Sequence, residues 1–388
     1  MDCAAVMLEA TVPTGFELTA VDEISEKLGV TANKDRGRVF FQLPCHLTPQ
    51  ALKLHSIDNL FTILRRAQTD LSSKDSVEAS LETLRTFLPD QHEWRLGLQT
   101  WQTVFGDLPG GIENSLERFG REDKSSEDEV CSENLPSFRV TCYRAGGKHN
   151  FTSPEAARDF GGLVEDHFKW KVKMKEFDVE VVLRVTEFDE VFVSLSLNKQ
   201  SLFQRNLLKF GPTSLRSTIA YGLLRMAAIE PGDVLCDPMC GSGSIPLEAA
   251  HSFTDITVLA GDNHPVAVEN TVENLAHSLE ENKNLLAPVA ILQWNACKLP
   301  LKCLAVDCIV TDLPFGKRMG SKKVNRDLYP TVVEELARVT KRTAVLLSQD
   351  KVNLSRAVKC SRNWKLVMIK NINVGGLVAA AYVLRKTV

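Results

Sequence analysis

The stretch DPMCGSG, residues 237–243, ends an apolar run and opens a loop that carries two glycines. The apolar run is typical of a buried parallel strand, and a helical pattern begins shortly after the loop. Gly241 and Gly243 have no Cβ, so the backbone of this loop can come close to a bound molecule. A second stretch, TDLPF at 311–315, ends another apolar run in the same way. The two stretches therefore predict two strand ends at one edge of a sheet.

Strand-like and helical patterns alternate around these two stretches. Apolar strand patterns recur at 233–237, 257–261, 289–293, 306–312, 344–348, 365–369 and 376–384. Helical patterns occur at 213–228, 246–251, 266–279 and 328–340. Such alternation, with apolar strands, is typical of a doubly wound α/β sheet. We therefore predict a Rossmann-like, doubly wound domain over 205–388.

The residues before this domain show a different pattern, and we predict three regions there. The first, 1–105, mixes short strands and helices in the manner of an α+β, ferredoxin-like region. The second, 106–136, has few apolar residues and an acidic run, which predicts a flexible linker. The third, 137–204, combines a strand, a helix and a hairpin pattern, and is predicted to be a small α+β domain.

Composition narrows the class of protein. The 388 residues carry a formal net charge of −3, with 24% charged and 44% hydrophobic residues, which is ordinary for a globular chain. We see neither an apolar run of the roughly 18 residues that span a membrane nor a secretory signal, so we expect a cytoplasmic protein. The ten cysteines form no CxxC pair, and no metal site is predicted. Because the chain is not basic overall, nucleic-acid binding would depend on local basic patches.

Polar residues at three successive strand ends suit S-adenosylmethionine as a cofactor. Asp237 would repel a pyrophosphate, whereas its carboxylate suits a ligand that bears an ammonium and a sulfonium group. Pro246 occupies the place of the third glycine in a dinucleotide-binding GxGxxG motif. At the next two strand ends, Asp262 can accept the ribose hydroxyls and Asn295 the adenine amino group. The predicted cofactor-binding residues are Asp237, Pro238, Cys240, Gly241, Gly243, Asp262, Asn263 and Asn295.

The TDLPF stretch suits an exocyclic amine of a base as methyl acceptor. The lone pair of such an amine is delocalised into the ring, so the nitrogen is a weak nucleophile. Two acceptors placed against its hydrogens would aim the lone pair at a methyl group. Asp312 supplies one acceptor and the Leu313 carbonyl, held by Pro314, supplies the other. Phe315 offers a stacking face for the base. We therefore predict these four as the catalytic residues, without a choice among the bases.

Clusters of basic residues predict where RNA would bind. The segment 316–326, directly after the predicted catalytic residues, holds five basic residues and no acidic one. Lysines alternate with apolar residues over 169–175, which would place them on one side of an extended segment. Such a surface suits a phosphate backbone, although a simple solvated face is the alternative for 169–175. The predicted RNA-binding residues are Lys148, Lys171, Lys173, Lys317, Arg318, Lys322 and Lys323.

Together these motifs resemble the THUMP-domain-containing tRNA guanosine-N2 methyltransferases. The resemblance rests on DPMCGSG at 237–243, TDLPFGKRMGSKK at 311–323, FTS at 151–153, ARDFGG at 157–162, FGPTSLR at 210–216 and NVGGL at 373–377. It implies a THUMP domain at 137–204 and S-adenosylmethionine-dependent methylation of guanine N2 at the sixth nucleotide of the tRNA acceptor stem. It also implies a heterodimer with a small zinc-binding activator subunit. Asn295 departs from the family pattern, which commonly has aspartate there, and this predicts weaker adenine binding.

Two other functions stay open from the residues alone. The first is an amino-methyltransferase for another RNA base, of the N6-adenine or N4-cytosine type, since 312–315 recognise an amine rather than guanine. The second is a non-catalytic tRNA-binding scaffold with a relic cofactor fold. The intact Asp312, Gly241 and Gly243 argue against the scaffold.

Overall fold

A computed structural model of the chain describes residues 4–117, 119, 134–211, 214–281, 285–315 and 322–387. These residues build two β-sheets, one from the N-terminal half of the chain and one from the C-terminal half. Within the same ranges, none of the helices is long and apolar enough to cross a lipid bilayer.

The N-terminal sheet has eight strands. They are β1 (Ala5–Thr11), β2 (Ala32–Asp35), β3 (Arg38–Pro44), β4 (Asn59–Gln68), β5 (Ser137–Arg144), β6 (Lys171–Val172), β7 (Val179–Val185) and β8 (Glu190–Ser196). Their order is β2-β3-β1-β4-β8-β7-β5-β6. Neighbours are antiparallel, except that β5 lies parallel to β6 and β7. The helices are α1 (Glu17–Leu28), α2 (Thr48–Ala51), α3 (Val77–Arg85), α4 (Gln91–Phe105), α5 (Gly111–Leu116) and α6 (Ser153–Phe168).

This sheet runs through both regions that the sequence divides at 106–136. Strand β4 of the first region pairs antiparallel with β8 of the third. One hydrophobic core also holds residues of both regions, such as Leu8, Leu98 and Val193. The two regions therefore pack as one layer, while the domain limits stay a prediction. Part of the predicted acidic linker, 120–133, lies outside the described residues.

The lysine-rich segment 169–175 is not the continuous extended stretch that its alternation predicts. Lys169 takes a left-handed conformation at the end of α6, with φ of 58°, and only β6 is extended. Trp170 is fully buried, whereas Met174 is 69% exposed, so the apolar residues do not share one buried face. The prediction of one lysine ridge is wrong because Trp170 anchors the segment in the core and the chain turns on both sides of β6.

The C-terminal sheet confirms the predicted Rossmann-like fold. Its strands are β9 (Val234–Asp237), β10 (Thr257–Asp262), β11 (Val289–Gln293), β12 (Val306–Asp312), β13 (Thr340–Ser348), β14 (Trp364–Val374) and β15 (Leu377–Lys386). Their order is β11-β10-β9-β12-β13-β15-β14. The first five in this order are parallel, and β15 is antiparallel to both neighbours. The strand order reverses between β9 and β12, which is where ligands bind in doubly wound sheets.

Five helices of the described ranges cover the C-terminal sheet. They are α7 (Ser217–Met226), α8 (Ser244–Ser252), α9 (Pro265–Glu281), α10 (Lys322–Val339) and α11 (Lys351–Cys360). Helix α7 begins later than the predicted residue 213, and α10 begins before the predicted residue 328. Helix α11 was not predicted from the sequence, although half of its residues are apolar. Its start is set by Asp350, whose side chain caps it by accepting the Asn353 N–H.

The two halves of the molecule share a hydrophobic contact. Phe16, which directly precedes α1, is buried in the core formed by α7, α8 and the C-terminal sheet. A Cβ on Gly222 of α7 would lie 2.5 Å from the Phe16 ring, so this position requires glycine. The Asn373 N–H also donates to the Thr14 carbonyl at 3.1 Å. The turn before α1 is therefore fixed against the C-terminal sheet.

A buried charged cluster reinforces this junction. The Glu248 carboxylate on α8 is fully buried and accepts from Arg205 Nη2 at 2.8 Å, His55 Nδ1 at 2.6 Å and Asn206 Nδ2 at 2.9 Å. Burial alone would raise its pKa, but Arg205 and His55 outweigh burial and hold the pKa at about 2. Because α8 begins at the end of the glycine loop, the cluster ties the N-terminal half to the helix behind that loop.

Candidate active site

The glycine loop 237–243 links the end of β9 to the start of α8. Gly241 and Gly243 have φ of 56° and 90°, in the left-handed region that favours glycine. A Cβ on Gly243 would lie 2.9 Å from the Thr271 side chain. The Cys240 N–H donates to the Gly261 carbonyl at 3.0 Å, and Cys240 is buried. The backbone conformation of Gly241 and Gly243 and the small space beside Thr271 therefore favour glycine in this loop. The hydrogen bond from Cys240 to Gly261 holds the loop against the end of β10.

Asp237 lies inside this loop and faces β12. Its Oδ1 accepts from Thr311 Oγ1 at 2.7 Å and from the Met239 N–H at 3.2 Å. Burial raises the pKa of Asp237 to about 7 in spite of these hydrogen bonds, and nearby Asp262 adds to the rise. The carboxylate predicted for cofactor binding is therefore also a link between the two strands at the switch point.

Asp262, Asn263 and Asn295 occupy the next strand ends. Asp262 accepts the Gly241 N–H at 3.1 Å through Oδ2 and the His264 N–H at 2.9 Å through Oδ1. Asn263 and Asn295 are exposed, and Asn295 Oδ1 accepts the Cys297 N–H at 2.9 Å. Asp262 therefore shapes the glycine loop as well as facing the edge of the sheet. The cofactor contacts of all three stay a prediction.

Trp294 supports the loop from behind and was not predicted from the sequence. Its Nε1 donates to the Pro238 carbonyl at 3.1 Å, and its ring is buried. A Cβ on Gly261 would lie 2.3 Å from that ring, so Gly261 leaves room for it. The signal available in the sequence was a glycine at the end of one strand and a tryptophan at the end of the next.

The predicted catalytic residues follow β12 at the same edge. Asp312 keeps part of its surface exposed, but its Oδ1 is shielded from solvent and has no hydrogen-bond partner among the described residues. Burial, and after it the Asp237 carboxyl, raise the pKa of Asp312 well above its ordinary value. Leu313 is buried, and Pro314 and Phe315 are half-buried. An unpaired acceptor of this kind is what a ligand with N–H donors would complete.

The structure brings together some of the predicted site residues and separates others. Asp237, Asp262 and Asp312 meet at the carboxyl ends of β9, β10 and β12. By contrast, Lys148 follows the end of β5 while Lys171 pairs with its first residue. At about 3.3 Å per residue, the eight residues of β5 make the strand about 25 Å long, and these two exposed lysines lie towards its opposite ends.

The basic segment after the catalytic residues is described only from its end. Lys317 and Arg318 lie outside the described residues. Lys322 begins α10, and Lys323 is exposed in its first turn. Both therefore follow the predicted catalytic residues closely in the chain.

The charges at this edge fit a cationic ligand. In the ranges that the structure covers, no lysine or arginine lies within 4.0 Å of the carboxylates of Asp237, Asp262 or Asp312. Uncompensated carboxylates in a partly desolvated site attract positive charge strongly. The ammonium and sulfonium groups of S-adenosylmethionine satisfy this requirement, and a pyrophosphate does not.

Comparison with known proteins also indicates a methyltransferase. The family model described as UPF0020, RMKL-like, methyltransferase domain, matches residues 205–380. The chain is 39% identical to a Bos taurus protein named tRNA (guanine(6)-N(2))-methyltransferase THUMP3, over 98% of this chain and 88% of the relative.

Solved structures share the fold over nearly the whole chain. The crystal structure of TrmN from Thermus thermophilus superposes with a TM-score of 0.72 at 26% identity, covering 99% of this chain and 100% of that one. The structure of the methyltransferase SMU.472, complexed with SAH, gives a TM-score of 0.65 at 14% identity and covers 99% of both chains. The second likeness shows the fold alone.

Proposed function

This chain belongs to the family of the tRNA (guanine(6)-N(2))-methyltransferases, and from that premise we propose that it methylates the N2 amino group of a guanine in tRNA. It is an enzyme, a methyltransferase that uses S-adenosylmethionine. The observation that carries the proposal is the unpaired, shielded Oδ1 of Asp312 at the switch point of the sheet. The names of the relatives support guanine as the base and tRNA as the substrate.

The residues of the glycine loop hold the cofactor in this proposal. Gly241 and Gly243 let the backbone approach it, Asp237 balances its positive charge, Asp262 accepts the ribose hydroxyls, and Asn295 faces the adenine. Pro238, Cys240 and Asn263 complete the set of cofactor-binding residues. When bound, S-adenosylmethionine supplies the electrophilic methyl group. The uncompensated carboxylates support this arrangement.

The catalytic residues orient the acceptor nitrogen. Asp312 and the Leu313 carbonyl accept the two N2 hydrogens, which draws the nitrogen out of conjugation and directs its lone pair along the transfer path. Phe315 stacks on the guanine and Pro314 stiffens the turn. After transfer the nitrogen carries a positive charge and releases a proton, which the Asp312 carboxylate is placed to accept.

Basic side chains hold the phosphate backbone in the same proposal. We assign this role to Lys148, Lys171, Lys173, Lys317, Arg318, Lys322 and Lys323. The exposure of Lys148, Lys171, Lys173 and Lys323 supports it. Because Lys148 and Lys171 lie at opposite ends of β5, they would contact separate stretches of the tRNA.

We further propose that a small zinc-binding activator subunit forms a heterodimer with the chain, that the target is the sixth nucleotide of the acceptor stem, and that the protein acts in the cytoplasm. The family resemblance supports the activator and the target nucleotide. The test incubates the chain, with and without the activator, with total tRNA and S-adenosylmethionine labelled in the methyl group. N2-methylguanosine at one acceptor-stem position is the expected product. Label on adenine or cytosine would contradict the proposal, and equal rates without the activator would contradict the heterodimer.

Cofactor binding should depend on pH because of Asp237. Its pKa of about 7 in the fold lies above the ordinary 3.8, so between these values the folded state holds a proton that the unfolded state has lost. The cofactor-free protein should therefore lose stability as the pH rises from about 4 to 7. A cation favours the ionised carboxyl, so cofactor affinity should rise over the same window, by at most about tenfold per pH unit per proton released. Calorimetric titration at several pH values measures this slope.

A matched pair of variants isolates the contribution of Asp237. Asp237→Asn should flatten the pH slope of cofactor binding. Asp58→Asn is the control, since burial also raises the pKa of Asp58, whose carboxylate binds Thr218 and Arg216 instead. An unchanged slope in Asp237→Asn would show that another group titrates.

A further inference from the structure

The Pro314 carbonyl accepts hydrogen bonds from two buried side chains. Tyr329 Oη donates to it at 2.6 Å and Asn325 Nδ2 donates to it at 3.0 Å. A carbonyl oxygen accepts two hydrogen bonds through its two lone pairs, so this one is saturated. The Pro314 carbonyl is therefore an anchor of the catalytic turn and is unavailable to a substrate.

The two donors are themselves held in place. Tyr329 and Asn325, one turn apart on α10, are both fully buried. Tyr329 Oη lies 2.8 Å from Ser348 Oγ at the end of β13, and Asn325 Nδ2 lies 3.2 Å from Asp350 Oδ2. Buried hydrogen-bond networks of this kind restrict each member to one geometry. The first turns of α10 are thus clamped to the strand that neighbours the catalytic one.

The residue between Asp312 and Pro314 is fixed on both sides. The Leu313 N–H donates to the Leu347 carbonyl at 2.9 Å, and the Leu313 side chain is buried. The Leu313 carbonyl itself accepts no hydrogen bond from any residue that the structure describes. The β-sheet holds the Leu313 N–H, and Tyr329 and Asn325 hold the Pro314 carbonyl. These two restraints set the direction of the Leu313 carbonyl, which lies between them.

We infer that Tyr329 and Asn325 are positioning residues for methyl transfer. By saturating the Pro314 carbonyl, they orient the peptide groups so that the Leu313 carbonyl and the Asp312 carboxyl face the same amine. The inference rests on the proposed function, because it concerns the acceptor side of that site. It explains why two polar side chains that cannot reach solvent are used beneath a catalytic turn.

The test compares two buried tyrosines of the same domain. Tyr329→Phe removes only the hydroxyl that reaches Pro314. Tyr382→Phe is the matched control, because Tyr382 is also buried and its hydroxyl lies 2.7 Å from Ser355 Oγ and donates to the Lys351 carbonyl at 3.1 Å. A misplaced acceptor pair should lower kcat on the order of 100-fold in Tyr329→Phe. Its KM for tRNA and its cofactor affinity should stay unchanged. Tyr382→Phe should keep the kcat of the unaltered protein.

The outcomes separate this inference from the proposed function. A kcat loss confined to Tyr329→Phe, and repeated in Asn325→Ala, supports the inference. Equal kcat in both tyrosine variants overturns it and leaves the proposed function standing. A loss of kcat in Tyr329→Phe that follows loss of cofactor affinity and of melting temperature also overturns it, since that indicates a structural role. No guanine methylation by the unaltered chain with its activator overturns both.

Discussion

Replacing Asp312 with alanine is expected to lower the rate of methyl transfer by at least about 100-fold. The variant loses the unpaired Oδ1 that, in the proposed function, accepts an amine hydrogen, and with it the negative charge that would balance the positive charge developing on nitrogen. Binding should change little, because Asp312 lies on the acceptor side of the glycine loop. Single-turnover methylation of tRNA at saturating cofactor measures the chemical step directly, and filter binding measures the affinity for tRNA.

Two further variants make this result specific. Asp312→Asn keeps an oxygen acceptor without the charge, so its rate should fall between those of the unaltered protein and Asp312→Ala. Asp307→Ala is the control on the same strand, where the carboxylate accepts the Val234 N–H and pairs with Lys341 at the far end of β12. Asp307→Ala should lower the stability of the fold and leave the rate of methyl transfer unchanged. Undiminished methylation by Asp312→Ala would refute the role given to this carboxylate.

Removing Glu248 is expected to be the most destabilising single change at the junction of the two halves. Glu248→Ala leaves Arg205 and His55 facing each other without the buried carboxylate that binds both of them. Loss of one partner from a buried ionic cluster costs about 3–5 kcal/mol of unfolding free energy. Urea denaturation followed by circular dichroism gives this value, and the midpoint should fall while the slope stays the same.

An exposed pair across the same junction is the control for Glu248. Glu26 of α1 binds Arg225 of α7 at 2.6 Å, with Glu26 about half exposed. Glu26→Ala should therefore cost about 1 kcal/mol or less. Since the pKa of Glu248 is about 2 in the fold against 4.5 ordinarily, its contribution is complete above about pH 4.5 and is lost as the pH falls toward 2. Equal losses in the two variants at pH 7 would contradict the cluster's role.

The C-terminal half was predictable from the sequence to a large extent. The predicted strands at 289–293 and 306–312 coincide with β11 and β12. Strand β12 is largely buried in the middle of the sheet, and such parallel strands are uniformly apolar, so their pattern can be read from the sequence alone. The N-terminal half was less predictable, because the pairing of β4 with β8 joins residues that are more than a hundred positions apart. No local pattern specifies such a pair.

The site, too, was predictable only in part from the sequence. Its residue types were evident in the chain: the glycines of the loop, the acids at the strand ends, and an acid followed by a proline and an aromatic ring. The contacts that hold the site residues within the fold were not evident from the sequence. That Asp237 is bonded to Thr311, and that Trp294 supports Pro238, depends on the strand order.

The sequence by itself determined the chemistry of the edge, because glycine conformation and carboxylate charge are properties of single residues. Only the tertiary structure decided that the Pro314 carbonyl is occupied. It is saturated by Tyr329 and Asn325, which follow it in the chain but reach it through the fold. The Leu313 carbonyl, which the sequence predicts as an acceptor, keeps no partner among the described residues. The physical reason is that a carbonyl oxygen forms its hydrogen bonds with whichever donors the packing of strands and helices brings within reach.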